Sequence, residues 1–216
     1  MKLYDYGPSS NCLKVRILLG LLDLPYERVN VDIFAGESQT PEHLARNPAG
    51  RTPVLELDSG EAIPESNAIL VHLGRGTPYV PDDPVARSRM LGWLFFEQNL
   101  VEPNVGTARF WKLTGRDAER PDVYARCVEA GTAALGILER RLSEHEYLVG
   151  ESATVADIGL YGYVHCAGDA GFDLGSLPGV SAWIARAEAL PGFRNDLAPY
   201  PPNAMAGAGG PSVHGG

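Results

Sequence analysis

Cysteine is scarce in this chain, which carries three cysteines in 216 residues. They are Cys12, Cys127 and Cys166, and no spacing between them is repeated. An odd, sparse count excludes a disulfide-stabilised scaffold and is typical of a protein that folds in a reducing compartment. We therefore expect a cytoplasmic protein in which Cys127 and Cys166 are small buried residues of helices.

Long apolar runs and targeting signals are missing as well. No apolar segment approaches the roughly 20 residues that a membrane-spanning helix needs. The chain opens on a strand-like segment, with no basic region followed by an apolar stretch and a small-residue cleavage site. The sequence therefore predicts neither a membrane partner nor a signal peptide.

Positive charge is in deficit. Lysine and arginine number 18 against 27 aspartates and glutamates, which gives a formal net charge of −9. Such a chain repels phosphate backbones, so we expect no nucleic-acid partner. Its five histidines lack the spacing of metal ligands, which predicts no metal site, and we expect one of them, His43, on the surface.

The first third of the chain alternates strand and helix signals. Strand patterns cover 2–6, 26–31, 54–57 and 62–63, and helix patterns cover 11–22, a short stretch opened by Thr40 and Pro41, and 67–73. The resulting order, βαβαββα, combines a parallel βαβ unit with an antiparallel hairpin. It predicts an α/β domain of the thioredoxin-like type over residues 1–76.

A change of composition separates this domain from the rest. Residues 77–84 read as a linker, and beyond them strand signals nearly vanish. We predict an all-helical domain over 85–200, with a possible bend near Pro103. Its predicted helices cover 85–111, 122–142, 155–166 and 180–190. The tail, 201–216, is rich in glycine, proline and alanine and is predicted to be disordered.

One local folding signal lies in the second domain. Thr154 and Asp157 have the spacing of a capping box, in which each residue's side chain bonds the other's backbone N–H at a helix start. An apolar helix follows directly. We assign this motif to structure rather than to chemistry.

The sharpest chemical signal is Ser9-Ser10-Asn11-Cys12, at the start of the first helix. In redox proteins of thioredoxin-like fold a Cys-x-x-Cys motif occupies this turn. Here a serine holds the outer position, and its hydroxyl can donate a hydrogen bond to a thiolate that a ligand supplies. Such a bond contributes roughly 1.5–3 kcal/mol, or about 1–2 units of thiol pKa. The competing interpretation is that these residues only cap the helix.

Two further motifs suit an extended peptide ligand. The residue before Pro53, Thr52, can offer its backbone N–H and C=O to such a ligand. Glu65 and Ser66 open the third helix, where unpaired N–H groups suit a carboxylate. Arg51 is placed to pair with a second carboxylate, although a solvated surface arginine is nearly as good an interpretation.

Taken together, these motifs resemble the glutathione site of cytosolic glutathione transferases, in particular the serine-dependent theta-like and bacterial (theta/nu-like) classes. The resemblance covers about residues 2–195. It implies that Ser9 contacts the glutathione thiol, with Ser10 as the rival and Asn11 as a helper. It also implies a cis Thr52–Pro53 bond.

The resemblance extends to the second substrate. It implies that Phe110 and Trp111 are walls for a small apolar electrophile, although aromatic residues at helical spacing are more often core. It further implies a homodimer in which Glu97 and Gln98 reach the neighbouring subunit's glutathione. Glutathione is then a co-substrate, and no cofactor is expected.

We therefore predict a glutathione transferase that activates the thiolate for attack on an electrophile. One alternative is a glutathione-dependent disulfide reductase, peroxidase or isomerase at the same site, which Asn11 beside a hydroxyl keeps open. Another is a non-catalytic binding module on the same fold. Cys12 could act as a reactive thiol, but we favour a residue packed under the first turn.

Overall fold

A computed structural model describes residues 1–208 of the chain. The first domain contains a four-stranded sheet of order β2-β1-β3-β4. Its strands are β1 (Lys2–Asp5), β2 (Glu27–Asn30), β3 (Val54–Glu56) and β4 (Ala62–Pro64). β1 runs parallel to β2 and antiparallel to β3, and β3 and β4 form an antiparallel hairpin. The predicted thioredoxin-like arrangement is confirmed.

Three helices complete this domain, namely α1 (Ser10–Leu21), α2 (Pro41–Arg46) and α3 (Ser66–Gly74). Thr40 caps α2 by accepting a hydrogen bond from the His43 N–H, and Pro41 occupies its first turn, where the missing N–H costs nothing. Most side chains of α1 are buried all round. This helix therefore lies inside the molecule, between the sheet and the second domain.

The second domain is built from helices. They are α4 (Pro84–Phe96), a π-helical segment (Glu97–Gly106), α5 (Thr107–Thr114), α6 (Pro121–Leu142), α7 (Val155–Val164) and α8 (Pro178–Glu188). Pro103, near which a bend is predicted, lies inside this π-helical segment. A wider turn accommodates a residue that has no N–H and whose ring crowds the preceding turn.

The capping box at the start of α7 is present. The Asp157 carboxylate accepts bonds from the Thr154 N–H at 2.8 Å and from the indole of Trp183 at 3.0 Å. Burial raises the pKa of Asp157, against smaller opposing effects of these hydrogen bonds. Because α7 is buried on nearly every face and packs on α1, this motif anchors the seam between the domains.

The C-terminal segment differs from the predicted disorder at 201–208. Residues Pro202–Ala204 form a turn of 3₁₀ helix, and Ala204 is fully buried. The Arg116 guanidinium donates to the Ala204 carbonyl at 2.6 Å, and the Asn203 amide donates to Asp32 at 2.8 Å. Composition predicted disorder because the tail has few charges and many glycines. Composition carries no information about tertiary contacts. The remaining part of the predicted tail, 209–216, lies outside the described residues.

Within residues 1–208, no helix is both long enough and apolar enough to cross a membrane.

Candidate functional site

A cleft of about 760 Å³ opens between the two domains. The start of α1 and the loops before α2 and β3 form its N-terminal wall. The π-helical segment, α5, α7 and the segment after α8 form its C-terminal wall. The N-terminal wall includes Tyr6, Ser9, Ser10, Asn11, Arg51 and Thr52, and the C-terminal wall includes Gln98, Glu102, Arg109, Phe110, Tyr163 and Tyr200.

Most of the residues singled out from the sequence meet in this cleft. Those that line it are Ser9, Ser10, Asn11, Arg51, Thr52 and Phe110, whereas Pro53, Glu65, Ser66 and Trp111 are outside the lining. Ser66 is joined to the cleft by a hydrogen bond from its hydroxyl to the Asn11 carbonyl oxygen at 3.0 Å. Motifs separated by more than 50 residues in the chain thus converge on one site.

Ser9 is the N-cap of α1. Its backbone is extended (φ −78°, ψ 121°), and its side-chain oxygen accepts a hydrogen bond from the Cys12 N–H at 3.3 Å. Ser9 therefore does cap the helix, as the competing interpretation predicted. Capping uses only a lone pair of the Ser9 oxygen, and the same side chain also makes a hydrogen bond with the Cys12 thiol that opposes the rise of its pKa.

Ser10 has a different environment from Ser9. It is the first residue of α1 and is 95% buried, at 5% exposure. Its side chain contacts Cys166 of the second domain: burial raises the pKa of that thiol to about 11, and the Arg109 charge and a hydrogen bond with Ser10 oppose the rise. Ser10 thus already has a partner in the second domain.

The Asn11 side chain joins three elements. Its carbonyl oxygen accepts bonds from the Lys14 ammonium at 2.7 Å and from the Ser66 hydroxyl at 3.0 Å. Its amide nitrogen donates to Glu102 at 2.9 Å. Two donors on one side and a carboxylate on the other fix which way the amide points. An N–H group of Asn11 therefore faces the C-terminal wall beside Ser9.

A buried ion pair supports this amide. Lys14 donates to Glu97 at 2.8 Å, and neither side chain is exposed. The other Glu97 oxygen accepts from Asn67 and Gln98, each at 2.9 Å. The expectation that Glu97 reaches a neighbouring subunit is wrong, because its carboxylate is used within its own chain. Sequence analysis also missed Lys14, although a lone lysine among the apolar residues of a buried helix was a visible signal.

The loop before β3 presents backbone to the cleft. The Thr52–Pro53 peptide bond is cis, in agreement with the resemblance. Two side chains hold the carbonyl of Arg51: the His43 ring at 3.0 Å and the Asn47 amide at 2.9 Å. His43 is almost fully buried, so the expectation of a surface position is wrong. It helps to hold the loop by contacting the same carbonyl that the Asn47 amide bonds.

Glu65 adopts a left-handed backbone, with φ +72° and ψ 114°. A non-glycine residue in this region is strained by roughly 1–3 kcal/mol, and such positions cluster at ligand sites. The residue precedes α3, whose first N–H groups carry the positive end of the helix dipole. The Glu65 side chain itself is exposed and makes no capping bond.

The C-terminal wall is aromatic. Phe110 stacks on Phe34 with ring centroids 6.1 Å apart and meets Tyr200 edge-on at 5.4 Å. Burial raises the pKa of Tyr163 well above its ordinary value, so this phenol stays protonated. Trp111 is half-buried and packs against the same cluster from outside the cleft.

The other reactive groups are inert. Burial, reinforced by the nearby Asp5 carboxylate, raises the pKa of the Cys12 thiol to about 12. Its sulfur accepts a bond from the Tyr6 N–H at 3.3 Å, as expected for a packed residue under the turn.

Among residues 1–208, no group of three or more His, Cys, Asp or Glu side chains is arranged to hold a metal ion.

Comparison with known proteins agrees with this architecture. The model of the glutathione S-transferase N-terminal domain matches residues 1–75, and that of the C-terminal domain matches residues 100–191. The chain is 33% identical over 199 residues to a maleylacetoacetate isomerase of Rhizobium meliloti, covering 89% of this chain and 93% of the relative.

Solved structures show the same likeness. A crystal structure of a glutathione S-transferase from Pseudomonas fluorescens Pf-5 superposes with a TM-score of 0.89 at 44% identity, covering 91% of this chain and 98% of the other. A second family member from Pseudomonas fluorescens, solved with two glutathione molecules bound, has a TM-score of 0.78 at 27% identity, covering 88% and 89%. By sequence, by fold and by the geometry of its cleft, this chain belongs to the cytosolic glutathione S-transferase family.

Proposed function

We propose that this protein is a glutathione transferase in which Ser9 stabilises the glutathione thiolate. The observation that carries the proposal is the state of the Ser9 hydroxyl, which lines the cleft while the Cys12 N–H already occupies a lone pair. In this proposal the hydroxyl donates its proton to the sulfur of bound glutathione rather than to the buried Cys12 thiol. The adjacent N-terminus of α1 adds a favourable field for an anion.

Glutathione lies along the N-terminal wall in this proposal. The backbone of Thr52 pairs with its cysteinyl unit as one short additional strand. The first N–H groups of α3 and the Ser66 hydroxyl receive the γ-glutamyl carboxylate, and Glu65 meets the amino group beside it. Arg51 pairs with the glycyl carboxylate. Pro53 makes no contact with glutathione in this proposal, and its cis bond sets the turn of the loop before β3.

The chemistry needs only glutathione as co-substrate. The thiol releases its proton to water, and the Ser9 hydrogen bond favours the resulting thiolate. The sulfur then forms a bond to an electrophilic carbon, and the leaving group departs with its electron pair. With a conjugated double bond, the adjacent carbon takes up a proton from water instead. Positioning in the cleft and the lowered thiol pKa supply the catalysis.

The protein acts in this proposal as a cytoplasmic homodimer. Four large apolar side chains of α4, the π-helical segment and α5 are well exposed, and they are suited to an interface: Val85, Phe95, Leu100 and Leu113. All three cysteines are free and buried, in keeping with a reducing compartment. Sedimentation of the native chain and of Phe95→Asp tests the dimer, which the aspartate is expected to weaken.

A second function deserves testing at the same site. Asn11 places an amide N–H beside Ser9, which would also stabilise a thiolate leaving a disulfide. One structural relative holds two glutathione molecules, and one curated relative is an isomerase. A glutathione-dependent disulfide reductase, peroxidase or isomerase would use the same N-terminal wall. Turnover of a mixed glutathione disulfide faster than that of aryl halides would favour it.

The deciding experiment is a titration of bound glutathione by ultraviolet thiolate absorbance. We expect the native protein to lower the thiol pKa and Ser9→Ala to restore about 1–2 units. Ser10→Ala is the matched control and is expected to leave the thiol pKa unchanged. Binding with an unshifted thiol in the native protein would contradict the transferase mechanism, and no binding of glutathione would exclude all the enzymatic proposals.

A further inference from the structure

The C-terminal wall contains one feature that an apolar electrophile does not explain. Arg109 lines the cleft among aromatic rings, with 7% of its surface exposed. Withdrawing a guanidinium from water is costly unless its charge is used. A purely apolar substrate would place an apolar surface against this guanidinium and offer it no hydrogen-bond acceptor.

The contacts of Arg109 leave most of its donors available. Its Nε–H donates to Asp169 at 2.8 Å, and its guanidinium carbon lies 5.7 Å from the centre of the Tyr200 ring. A guanidinium has five N–H donors in a planar fork that matches a carboxylate. The Asp169 bond uses one of them and a hydrogen bond to the Tyr200 hydroxyl uses another, which leaves three for a ligand.

Glu102, the acidic residue in the cleft lining, already accepts a hydrogen bond at each carboxylate oxygen. One oxygen of Glu102 accepts from Asn11 at 2.9 Å, and the other accepts from Gln98 at 2.7 Å. The Glu102 carboxylate is therefore tied to the α1 side of the cleft. It does not take the place of an anion on Arg109.

An orphaned hydroxyl is an independent observation. The Tyr6 side chain lines the cleft and is nearly fully buried, yet its oxygen has no hydrogen-bond partner among residues 1–208. Burial raises the Tyr6 pKa, and the charges of Asp32 and Tyr200 raise it further, so the phenol is a donor. A buried donor without an acceptor is costly, which indicates that a ligand supplies the acceptor.

We propose that the electrophile carries a carboxylate, which Arg109 binds together with the hydroxyls of Tyr6 and Tyr200. This inference rests on the proposed transferase function and names the substrate class of the same cleft. The aromatic rings hold the body of the substrate, and the carboxylate sets which end faces the Ser9 side. A good charge-assisted contact favours a carboxylated substrate over a neutral one by about 10- to 100-fold.

The test compares two aryl chlorides, 4-chloro-3,5-dinitrobenzoate and 1-chloro-2,4-dinitrobenzene. In both, the sulfur–carbon bond forms and chloride leaves with the electron pair. Each kcat/KM is divided by the uncatalysed rate constant, which removes the difference in intrinsic reactivity. We expect the native protein to prefer the benzoate. Arg109→Gln is expected to lower this preference about 10- to 100-fold, and Arg109→Lys to lower it less.

Two further variants separate binding from folding. Asp169→Asn removes the competing carboxylate and is expected to increase the preference, whereas a merely structural ion pair would lower turnover of both substrates equally. Arg126→Gln changes an arginine on the outer surface of α6 and is the matched control. It is expected to leave the preference unchanged.

Product binding keeps the inference testable without turnover. The glutathione conjugates of the two chlorides are titrated calorimetrically onto the native protein and Arg109→Gln. Tighter binding of the carboxylated conjugate, lost in the variant, supports the subsite even if the thiol pKa is unshifted and the transferase proposal fails. Equal binding of both conjugates overturns it. Weaker binding of glutathione itself in Arg109→Gln also overturns it, since Arg109 would then serve a glutathione carboxylate.

Discussion

The two walls of the cleft use different physical means of recognition. The N-terminal wall presents backbone groups and small side chains, such as Ser9 and Asn11, whose directions are fixed by hydrogen bonds. The C-terminal wall presents large rings, such as Phe110 and Tyr200, around the buried Arg109. Directional contacts suit one invariant ligand, whereas rings accept many shapes and leave selection to a single charge. Under the proposed function, this comparison predicts that activation of the thiol and choice of the electrophile are separable properties of the site.

The largest expected effect is on the free energy of unfolding, through the buried Lys14–Glu97 ion pair that joins the two walls. Lys14→Met leaves the Glu97 charge buried and unpaired, which is expected to cost about 3–5 kcal/mol of unfolding free energy. Denaturant-induced unfolding measures it. The double variant Lys14→Met/Glu97→Met removes both charges and is expected to recover much of the loss. A single variant as stable as the native chain would show that the pair is not needed.

The second largest effect is expected on the pH dependence of activity, through Ser9 of the N-terminal wall. Because the thiolate is the reactive form, activity rises with pH through the pKa of bound glutathione. Ser9→Ala raises that pKa, so the rising limb of the pH–kcat profile is expected to move about 1–2 units upward. Activity at neutral pH then falls about 10- to 100-fold. Ser10→Ala should show the native profile, and the reverse pattern would assign the thiol contact to Ser10.

A crossed pair of variants tests whether the walls are separable. Tyr200→Ala removes an edge-on ring contact with Phe110 and is expected to raise the KM of the electrophile about threefold to tenfold. Arg51→Ala is expected to raise the KM of glutathione by a similar factor. Each variant should leave the other substrate's KM nearly unchanged. If both constants rise in both variants, the walls act as one unit.

The smallest expected effect concerns the thiols. Burial raises the pKa values of Cys12 to about 12 and Cys166 to about 11, and it also raises that of Cys127. At pH 8 only about one Cys12 thiol in ten thousand is ionised, so it is a poor nucleophile. A disulfide reagent should label none of the three rapidly in the native protein and all three after unfolding. Fast labelling of Cys12 would revive the alternative of a reactive thiol.

Local rules carried much of the fold prediction. The alternation of strands and helices up to α3, the cap at Thr40 and the capping box at Thr154 are short-range signals, and each agrees with the structure. The motif positions also directed attention to the cleft between the domains, which six of the singled-out residues line. They did not separate Ser9 from Ser10, because neighbouring residues at a helix start share the same local pattern.

Failures of prediction arose where contacts cross the chain. His43 is buried because its ring contacts a loop carbonyl, and the segment at 201–208 is held by bonds to Thr114 of α5, to Arg116 just after it and to Asp32 of the first domain. Glu97 was expected from the resemblance to reach a neighbouring subunit, whereas Lys14 pairs with its carboxylate inside the same chain. Each outcome depends on a partner that the local sequence does not reveal.

The sequence by itself determined the order of the elements, the start of α1 to within a residue or two and the family of the chain, because propensity, capping and turn chemistry act within a few residues. Only the tertiary structure decided the direction of the Asn11 amide, the pairing of Lys14 with Glu97 across 83 positions and the place of Arg109 in the cleft. Charges and polar atoms pay a desolvation cost on burial, and only packing determines which partner offsets it.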